Sequence, residues 1–378
     1  MRELRDILSE IAALRARREP AALATITRVR GSTYRRAGAR LLIRQDGTTI
    51  GSISGGCLEG DVVEAAREVM QTGRPRMLTY DLTADDDAVW GLGLGCNGAI
   101  DVLVEPVRHA DELDAASLLQ QAIDDRRSAA LVTVIASPNG GPPVGSRVFV
   151  PEEGAATGSL GSSALDAAAT AAALRGIADR RTAIVPLEVP GGGELFVEVL
   201  ARPVPLLVCG AGHDALPVVR LAHDLGWWVM VADSRPAFAT RERFPEADEV
   251  FLVEDRDVPT KVRIDRDTYA VVMTHNFLHD LELLRGLLTT SAHYIGLLGP
   301  RARTEKLLVE LEKQGVVLDD AQRARLHGPV GLDTGADSPE EIALSITAEI
   351  LAVHNRRAAT PLRERRGPIH ESATSATS

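Results

Sequence analysis

Leu206-Leu207-Val208-Cys209-Gly210-Ala211-Gly212-His213-Asp214-Ala215 decides the fold of the C-terminal half. Four apolar residues lead into Gly-x-Gly-x-x-Ala, and a helical pattern follows from His213 to Leu225. Gly210 suits a tight turn, Gly212 a close approach of backbone to a phosphate, and Ala215 close packing of helix on strand. The helix N-terminus behind such a turn turns free N–H groups and the positive end of its dipole toward an anion. Trp228–Ala232 reads as the next strand. It ends at Asp233, 23 residues beyond Gly210, where an acid meets ribose hydroxyls. Ser234-Arg235 follow directly and leave open a ligand with an additional phosphate. His213 either donates to a phosphate or caps the helix.

Working outward, strand candidates recur at Ala247–Val253, Ala270–Met273 and Tyr294–Leu297, and a last helix at Pro339–Asn355. Strands alternating with helices predict a doubly wound parallel sheet, hence a Rossmann-like domain over 204–357. Carboxyl ends of such strands are where these sheets take ligands. That makes Thr274 and His275, directly after a strand and ahead of Asp280, candidates, against a capping or packing role. Gly296-Leu297-Leu298-Gly299-Pro300-Arg301 also follows a strand and places Arg301 to reach an anion. Gly331-Leu332-Asp333 followed by Ser338-Pro339-Glu340-Glu341 reads as a loop and a capped helix.

The N-terminal half, 1–203, matches itself at an offset of 107. Gly38-Ala39-Arg40 aligns with Gly145-Ser146-Arg147, Gly51-Ser52 with Gly158-Ser159, and the strand Ala24–Ile26 with Leu131–Thr133. A second match, at an offset of 97, aligns Ile100–Leu103 with Val197–Leu200. This predicts an α/β domain duplicated over 22–107 and 129–204, with about ten extra residues in the first copy between Thr83 and Asn97. Within a copy, Ala24–Val29, Arg40–Arg44 and Thr48–Ser52 read as strands, Asp46-Gly47 as a hairpin turn and Glu59–Thr72 as a helix stopped by Gly73.

The copies differ where chemistry is expected. The first reads Gly55-Gly56-Cys57-Leu58-Glu59-Gly60 where the second reads Ser162-Ser163-Ala164-Leu165-Asp166-Ala167. The first copy's insertion carries Gly95-Cys96-Asn97-Gly98. Packing alone would ask the same of both copies, so these segments point to a site. Glycines at a helix start let a thiol face a ligand, and the dipole favours thiolate there. The plainer alternative is a small buried cysteine. Cys209, inside an apolar strand, reads as core.

Composition narrows the classes. Across 378 residues, hydrophobic residues make up 45% and charged residues 25%, which is globular. Only 3% are aromatic, so Ala, Val, Leu and Ile must build the core. Lys and Arg number 42 against 53 Asp and Glu, a net charge of −11. That argues against binding a nucleic-acid backbone. Three cysteines without close pairing exclude a disulfide scaffold and give no metal-ligand pair. No apolar run reaches a membrane span, and Met1–Glu19 is an amphipathic helix rather than a signal peptide. The expected compartment is the cytosol. The stretch 358–378, Arg-rich and then Ser/Thr-rich, reads as a disordered tail.

Taken in order, Gly55–Glu59, Gly95–Gly98, Gly210–His213, Thr274–Asn276 with Asp280, Gly296–Gly299, and Gly331–Asp333 with Pro339–Glu341 form a series. It resembles the xanthine dehydrogenase accessory factor family of XdhC/CoxI type. The resemblance spans 11–105 and 206–353. Asn97, Pro300 and the absence of a basic residue in Asp333–Asp337 depart from the pattern. What it implies is a chaperone that binds the molybdenum cofactor, molybdopterin or a nucleotide-linked form. Such a chaperone protects the cofactor while a sulfurtransferase installs a sulfido ligand, and passes it to a molybdenum hydroxylase apoenzyme. On that reading Cys57, Glu59, Cys96 and His275 carry the chemistry. Gly55, Gly56, Gly210, Gly212, His213, Asp233, Thr274 and Arg301 hold the cofactor, and a homodimer is expected. The alternative from the Rossmann signature alone is an NAD(P)-dependent oxidoreductase with His275 as its acid–base group.

Overall fold

The computed structural model describes residues 2–31, 33–56, 58–81, 98–109 and 111–365. The chain divides into two units, one over Arg2–Arg202 and one from Pro203 onward.

The first unit is built twice. One copy runs α1 (Arg2–Arg17), β1 (Ala21–Gly31), β2 (Arg40–Arg44), β3 (Thr49–Gly51), α2 (Glu59–Thr72), β4 (Arg76–Asp81) and β5 (Gly98–Val107). The other runs α3 (Ala115–Asp124), β6 (Ala129–Ala136), β7 (Arg147–Pro151), β8 (Thr157–Gly158), α4 (Ser163–Asp179), β9 (Ala183–Pro186) and β10 (Glu194–Leu200). Both form antiparallel five-stranded sheets of the same order, β3-β2-β1-β5-β4 and β8-β7-β6-β10-β9. Each copy also includes a leading helix, α1 or α3, that the sequence match left out.

The ladders correct that match in two places. Ala24 pairs with Leu41 and Val132 with Val148, so Val132, not Leu131, is the counterpart of Ala24. One residue of slip turns every side chain to the other face. Burial agrees with the ladders: Ala22, Ala24 and Ile26 enter one core, and Ala130, Val132 and Val134 its counterpart. On the last strand Leu103 corresponds to Phe196 and Glu105 to Glu198. The first copy's insertion between β4 and β5 is therefore fourteen residues, not ten.

α2 covers one face of its sheet through Val62, Ala66 and Val69, and α4 does the same through Ala169, Ala172 and Ala173. α1 and α3 pack with Leu23, Leu42, Leu131 and Phe149 in a core shared by both copies. Two buried ion pairs cross between the copies, Arg40 with Glu198 and Arg147 with Glu105. Gly38 and Gly145 stand beside them with φ of 91° and 90°. A Cβ at either would lie 3.0 or 3.2 Å from the carboxylate of the other copy. The Gly-x-Arg matches that reveal the duplication are thus the device that joins its halves.

The second unit is a six-stranded sheet of β11 (Pro205–Cys209), β12 (Trp228–Asp233), β13 (Glu249–Leu252), β14 (Tyr269–Val272), β15 (Tyr294–Leu297) and β16 (Leu326–His327). All its pairings are parallel and the order is β13-β12-β11-β14-β15-β16, the Rossmann order. α5 (Ala215–Asp224) and α10 (Pro339–His354) cover one face; α7 (Phe277–Leu288) and α8 (Arg301–Lys313) cover the other. The short helices α6 (Val258–Lys261) and α9 (Asp320–Ala324) complete the unit. Residues within a strand alternate between the faces: Leu206 and Val208 join one core, Leu207 and Cys209 the other. Within 358–378, Leu362–Glu364 forms a 3-10 turn, and 366–378 lies outside the described residues. Among the described residues no helix is long and apolar enough to cross a membrane.

Candidate functional site

The strand order reverses at β11, and a cleft of about 150 Å³ opens there beyond the carboxyl ends of β11, β12 and β14. Gly210, Asp233, Ser234, Arg235, Asp255, Thr274, Asn276 and His279 line it. Two larger hollows, about 440 and 650 Å³, lie in the first unit. In the first, Arg147 pairs with Glu105 and Arg108 with Asp111, and Arg74 and Asp114 also line it; the second is lined by Pro, Gly and Ser loops. The cleft is the one of the three that lies at the carboxyl ends of a parallel sheet.

Gly210 takes φ of 108°, and a Cβ there would stand 2.8 Å from the Met273 carbonyl carbon and oxygen. Only glycine lets the two loops pass this closely. The helix begins at Ala215 rather than His213, because Gly212–Asp214 form a turn ahead of it. Among the described residues the N–H groups of Gly212, His213 and Asp214 donate to no acceptor. They remain available to an anion. The His213 side chain is exposed, and its carbonyl accepts from Leu216 N–H.

Asp233 is buried and fully engaged. Its Oδ2 accepts from Ala211 N–H and Arg235 Nη2, both at 2.7 Å. Its Oδ1 accepts from Arg235 N–H at 2.8 Å and Nε at 2.9 Å. Burial alone would raise this carboxyl; the hydrogen bonds from Arg235 and the backbone outweigh it and hold the group below its usual range. The Arg235 guanidinium lies 3.9 Å over the Phe238 ring and stays half exposed.

Across the cleft, His279 binds Asp255 through Nδ1, which leaves Nε2 for a ligand. Burial pushes the Asp255 carboxyl up, with His279 pulling the other way. Thr274 donates to Asp280 at 2.5 Å, and the buried Asp280 is held by Arg303 at 2.5 and 3.0 Å. Asn276 caps α7 by accepting from Leu278 and His279 N–H. His275 takes φ of 60°, unusual for a side chain larger than glycine, and its Nε2 meets Asp214 Oδ2 at 2.6 Å. It bridges the loops after β11 and β14 but does not line the cleft. Arg301 points elsewhere, to Glu305, and is 84% exposed. The sequence reading missed Asp255, His279 and Arg303. His279, in the first turn of a helix after a sheet strand, offered the one local signal.

In the first unit, the Glu59 carboxylate accepts from Ser52 and Ser54 hydroxyls and from Ser54, Gly56 and Leu58 N–H. Burial raises it, and these donors outweigh that and lower it. Asp166 does the same job in the second copy, accepting from Ser159 and Leu160. Gly55 and Gly56, with φ of 82° and 115°, hold the chain out of the helix. In the second copy, Ser162 caps a helix that starts at Ser163, about one turn earlier. The glycines therefore remove a turn from the start of α2. Cys57 and Cys96 themselves lie outside the described residues. Cys209 is fully buried, and burial, with Asp255, Asp233 and Asp280 nearby, pushes its thiol up, so it is an inert core residue.

Glu59→Gln puts an amide N–H₂ among donors. It is expected to cost roughly 1 kcal/mol and to loosen Ser52, Ser54 and Gly56. Since the folded pKa is lowered, this stabilisation is complete above the ordinary carboxylate range. It disappears as pH falls through the lower folded value. Amide exchange of Ser54 and Gly56 against pH would read it; protection that fades already at the ordinary glutamate pKa would count against it.

Fold and cleft together define a two-unit Rossmann protein with an anion-ready switch-point cleft. The XdhC Rossmann domain profile matches residues 206–350, and the XdhC and CoxI family profile matches 14–81 and 122–188, one stretch in each copy of the first unit. The chain is 32% identical over 346 residues to a probable xanthine dehydrogenase subunit from Bacillus subtilis (strain 168), covering 89% of this chain and 94% of that one. It is 24% identical over 335 residues to the molybdenum cofactor insertion chaperone PaoD of Escherichia coli (strain K12), covering 88% and 83%. The crystal structure of a xanthine dehydrogenase from Bacillus halodurans superposes with a TM-score of 0.73 at 33% identity, over 94% of this chain and 98% of that chain. The chain belongs to the XdhC and CoxI family.

Proposed function

We propose that this protein is a maturation factor for molybdenum hydroxylases. It holds the molybdenum cofactor as cargo while a sulfurtransferase installs the terminal sulfido ligand. It then passes the cofactor to an apoenzyme of the xanthine dehydrogenase type, in the cytosol. The observation that carries this is the relationship, over nearly nine-tenths of the chain, to proteins named for xanthine dehydrogenase and for molybdenum cofactor insertion.

The residues fit the two ends of such a cargo differently. The unused N–H groups ahead of α5, with Arg235 and His279, suit the phosphate or nucleotide end. The metal–sulfur end asks for soft donors. Cys209 cannot serve, so the reading assigns that end to Cys57 and Cys96. β3 and β4 both run in the direction of β1, so the chain enters both cysteine segments heading toward the carboxyl end of β1. The second copy carries no cysteine in either place. A homodimer would cover the cargo in transit. The oxidoreductase alternative asks Asp233 for a ribose and His275 for acid–base work. Asp233 is saturated, and His275 is tied to Asp214 outside the cleft lining.

The test is co-purification from a host that makes the cofactor, with molybdenum and oxidised-pterin fluorescence as readouts. Near-stoichiometric pterin is expected, falling roughly tenfold or more in Cys57→Ser and in Cys96→Ser. Normal retention in the double variant would refute the cysteine assignment. No pterin but tight NAD(P) would move the reading to the oxidoreductase.

A further inference from the structure

We propose that the Rossmann cleft selects a ligand carrying a phosphate monoester beside β12, and that Arg235 is the specificity-determining residue. This rests on the reading of the cleft as the cargo's phosphate or nucleotide site and names what the cleft grips there.

A carboxylate at the end of the second strand normally accepts from the hydroxyls of a ribose. A carboxylate offers about four lone-pair positions. Four donors already occupy those of Asp233: Ala211 N–H, and the N–H, Nε and Nη2 of Arg235. A bare ribose diol finds no acceptor left on it. What faces outward instead is a donor surface. Arg235 keeps its Nη1 N–H groups and the second N–H of Nη2. The ring of Phe238 at 3.9 Å and the bonds to Asp233 fix the guanidinium plane. Because the fork is already oriented, little rotamer freedom is lost when an anion binds. Ser234 adds a hydroxyl to the lining, and His279, anchored by Asp255 through Nδ1, presents Nε2 from the opposite wall. Both carboxylates of the cleft are engaged, Asp233 neutralised by the Arg235 guanidinium and Asp255 hydrogen-bonded to His279. The volume, about 150 Å³, suits one phosphate with its neighbouring sugar or chain atoms rather than a whole dinucleotide.

Binding of 2′,5′-ADP and 5′-AMP to the full chain, by calorimetry, tests this without the molybdenum cofactor. A preference for 2′,5′-ADP of about tenfold to a hundredfold is expected, collapsing to near unity in Arg235→Ala and partly kept in Arg235→Lys. Arg235 is half exposed, so the alanine variant should fold, and its melting temperature is read alongside. Equal affinity for the two probes, no binding of either, or a preference unchanged in Arg235→Ala would overturn the proposal. Competition by a phosphorylated oxidised pterin, but not by its dephosphorylated form, would support it and make the pterin the source of the phosphate. No competition, with the preference intact, would support it and make a nucleotide the source. Pterin co-purification is read independently, so the maturation reading and this one fail separately.

Discussion

Glu105→Ala is expected to lower the stability of the chain by about 3–5 kcal/mol, and Glu198→Ala by a similar amount. Each removes one partner of a buried ion pair: the side chains of Arg147 and Glu105 are 6% and 10% exposed, those of Arg40 and Glu198 6% and 7%. The arginine left behind keeps its charge, since guanidinium does not deprotonate in proteins, and among the described residues the glutamate removed is the carboxylate it pairs with. In both arginines Nε already lacks a partner, so the carboxylate is the main compensation each has. Replacing both partners, Arg147→Met with Glu105→Leu, removes the charge together with its desolvation cost and should recover most of the loss. Urea unfolding followed by circular dichroism measures all of these. Single variants that lose less than about 1 kcal/mol would mean that water reaches the joint and the pairs are worth no more than surface ones.

The second large effect is expected of Gly210→Ala, about 3 kcal/mol or more, with loss of binding at the cleft. The new methyl meets backbone, the Met273 carbonyl at 2.8 Å and Thr274 Cα at 2.9 Å, and φ of 108° is a conformation that alanine avoids. Neither neighbour is a side-chain tip that can swing aside. Relief therefore means pushing apart the loops after β11 and β14, which frame the cleft. Gly212→Ala is the control. Its methyl meets side chains rather than backbone, the Asp214 carboxylate oxygen at 2.9 Å and His275 Cδ2 at 4.0 Å, and this bonded pair can shift together at the cost of its own geometry, so a smaller loss is expected. Thermal unfolding of the pair and 2′,5′-ADP binding separate the cases. A Gly210→Ala chain as stable as the Gly212→Ala chain would refute the close-approach account of this turn.

The second unit was legible because its signals are local. A strand, a glycine turn and a helix occupy ten consecutive residues, and each strand–helix alternation lies within one stretch of chain. The fold class, the parallel sheet and the place of the cleft follow from such patterns, as does the duplication of the first unit. The duplication's register did not. From Ala21 to Thr27, β1 is buried on both faces, so no polar–apolar alternation marks which residues share a face. A slip of one position leaves the sequence match almost as good, and only the ladder to Leu41 and Val148 settles it.

The same division holds among the site residues. Gly210 could be assigned from its own neighbourhood, because a turn is a property of adjacent residues. Asp233 could be placed at the end of its strand, but its occupation by Ala211, 22 positions away, could not be read from the strand. Glu59 stood out beside the Gly55-Gly56 pair, yet its hold on Ser52, Ser54, Gly56 and Leu58, and Asp166 doing likewise, appeared only with the hydrogen bonds. The arginines of the two Gly-x-Arg segments find their carboxylates 158 and 42 residues away, and His279 finds Asp255 at 24. Periodicity and turn chemistry act between neighbours in the chain and can be read along it. Ion pairing acts between neighbours in space, and which charges become neighbours is settled by packing of the strands and helices that carry them.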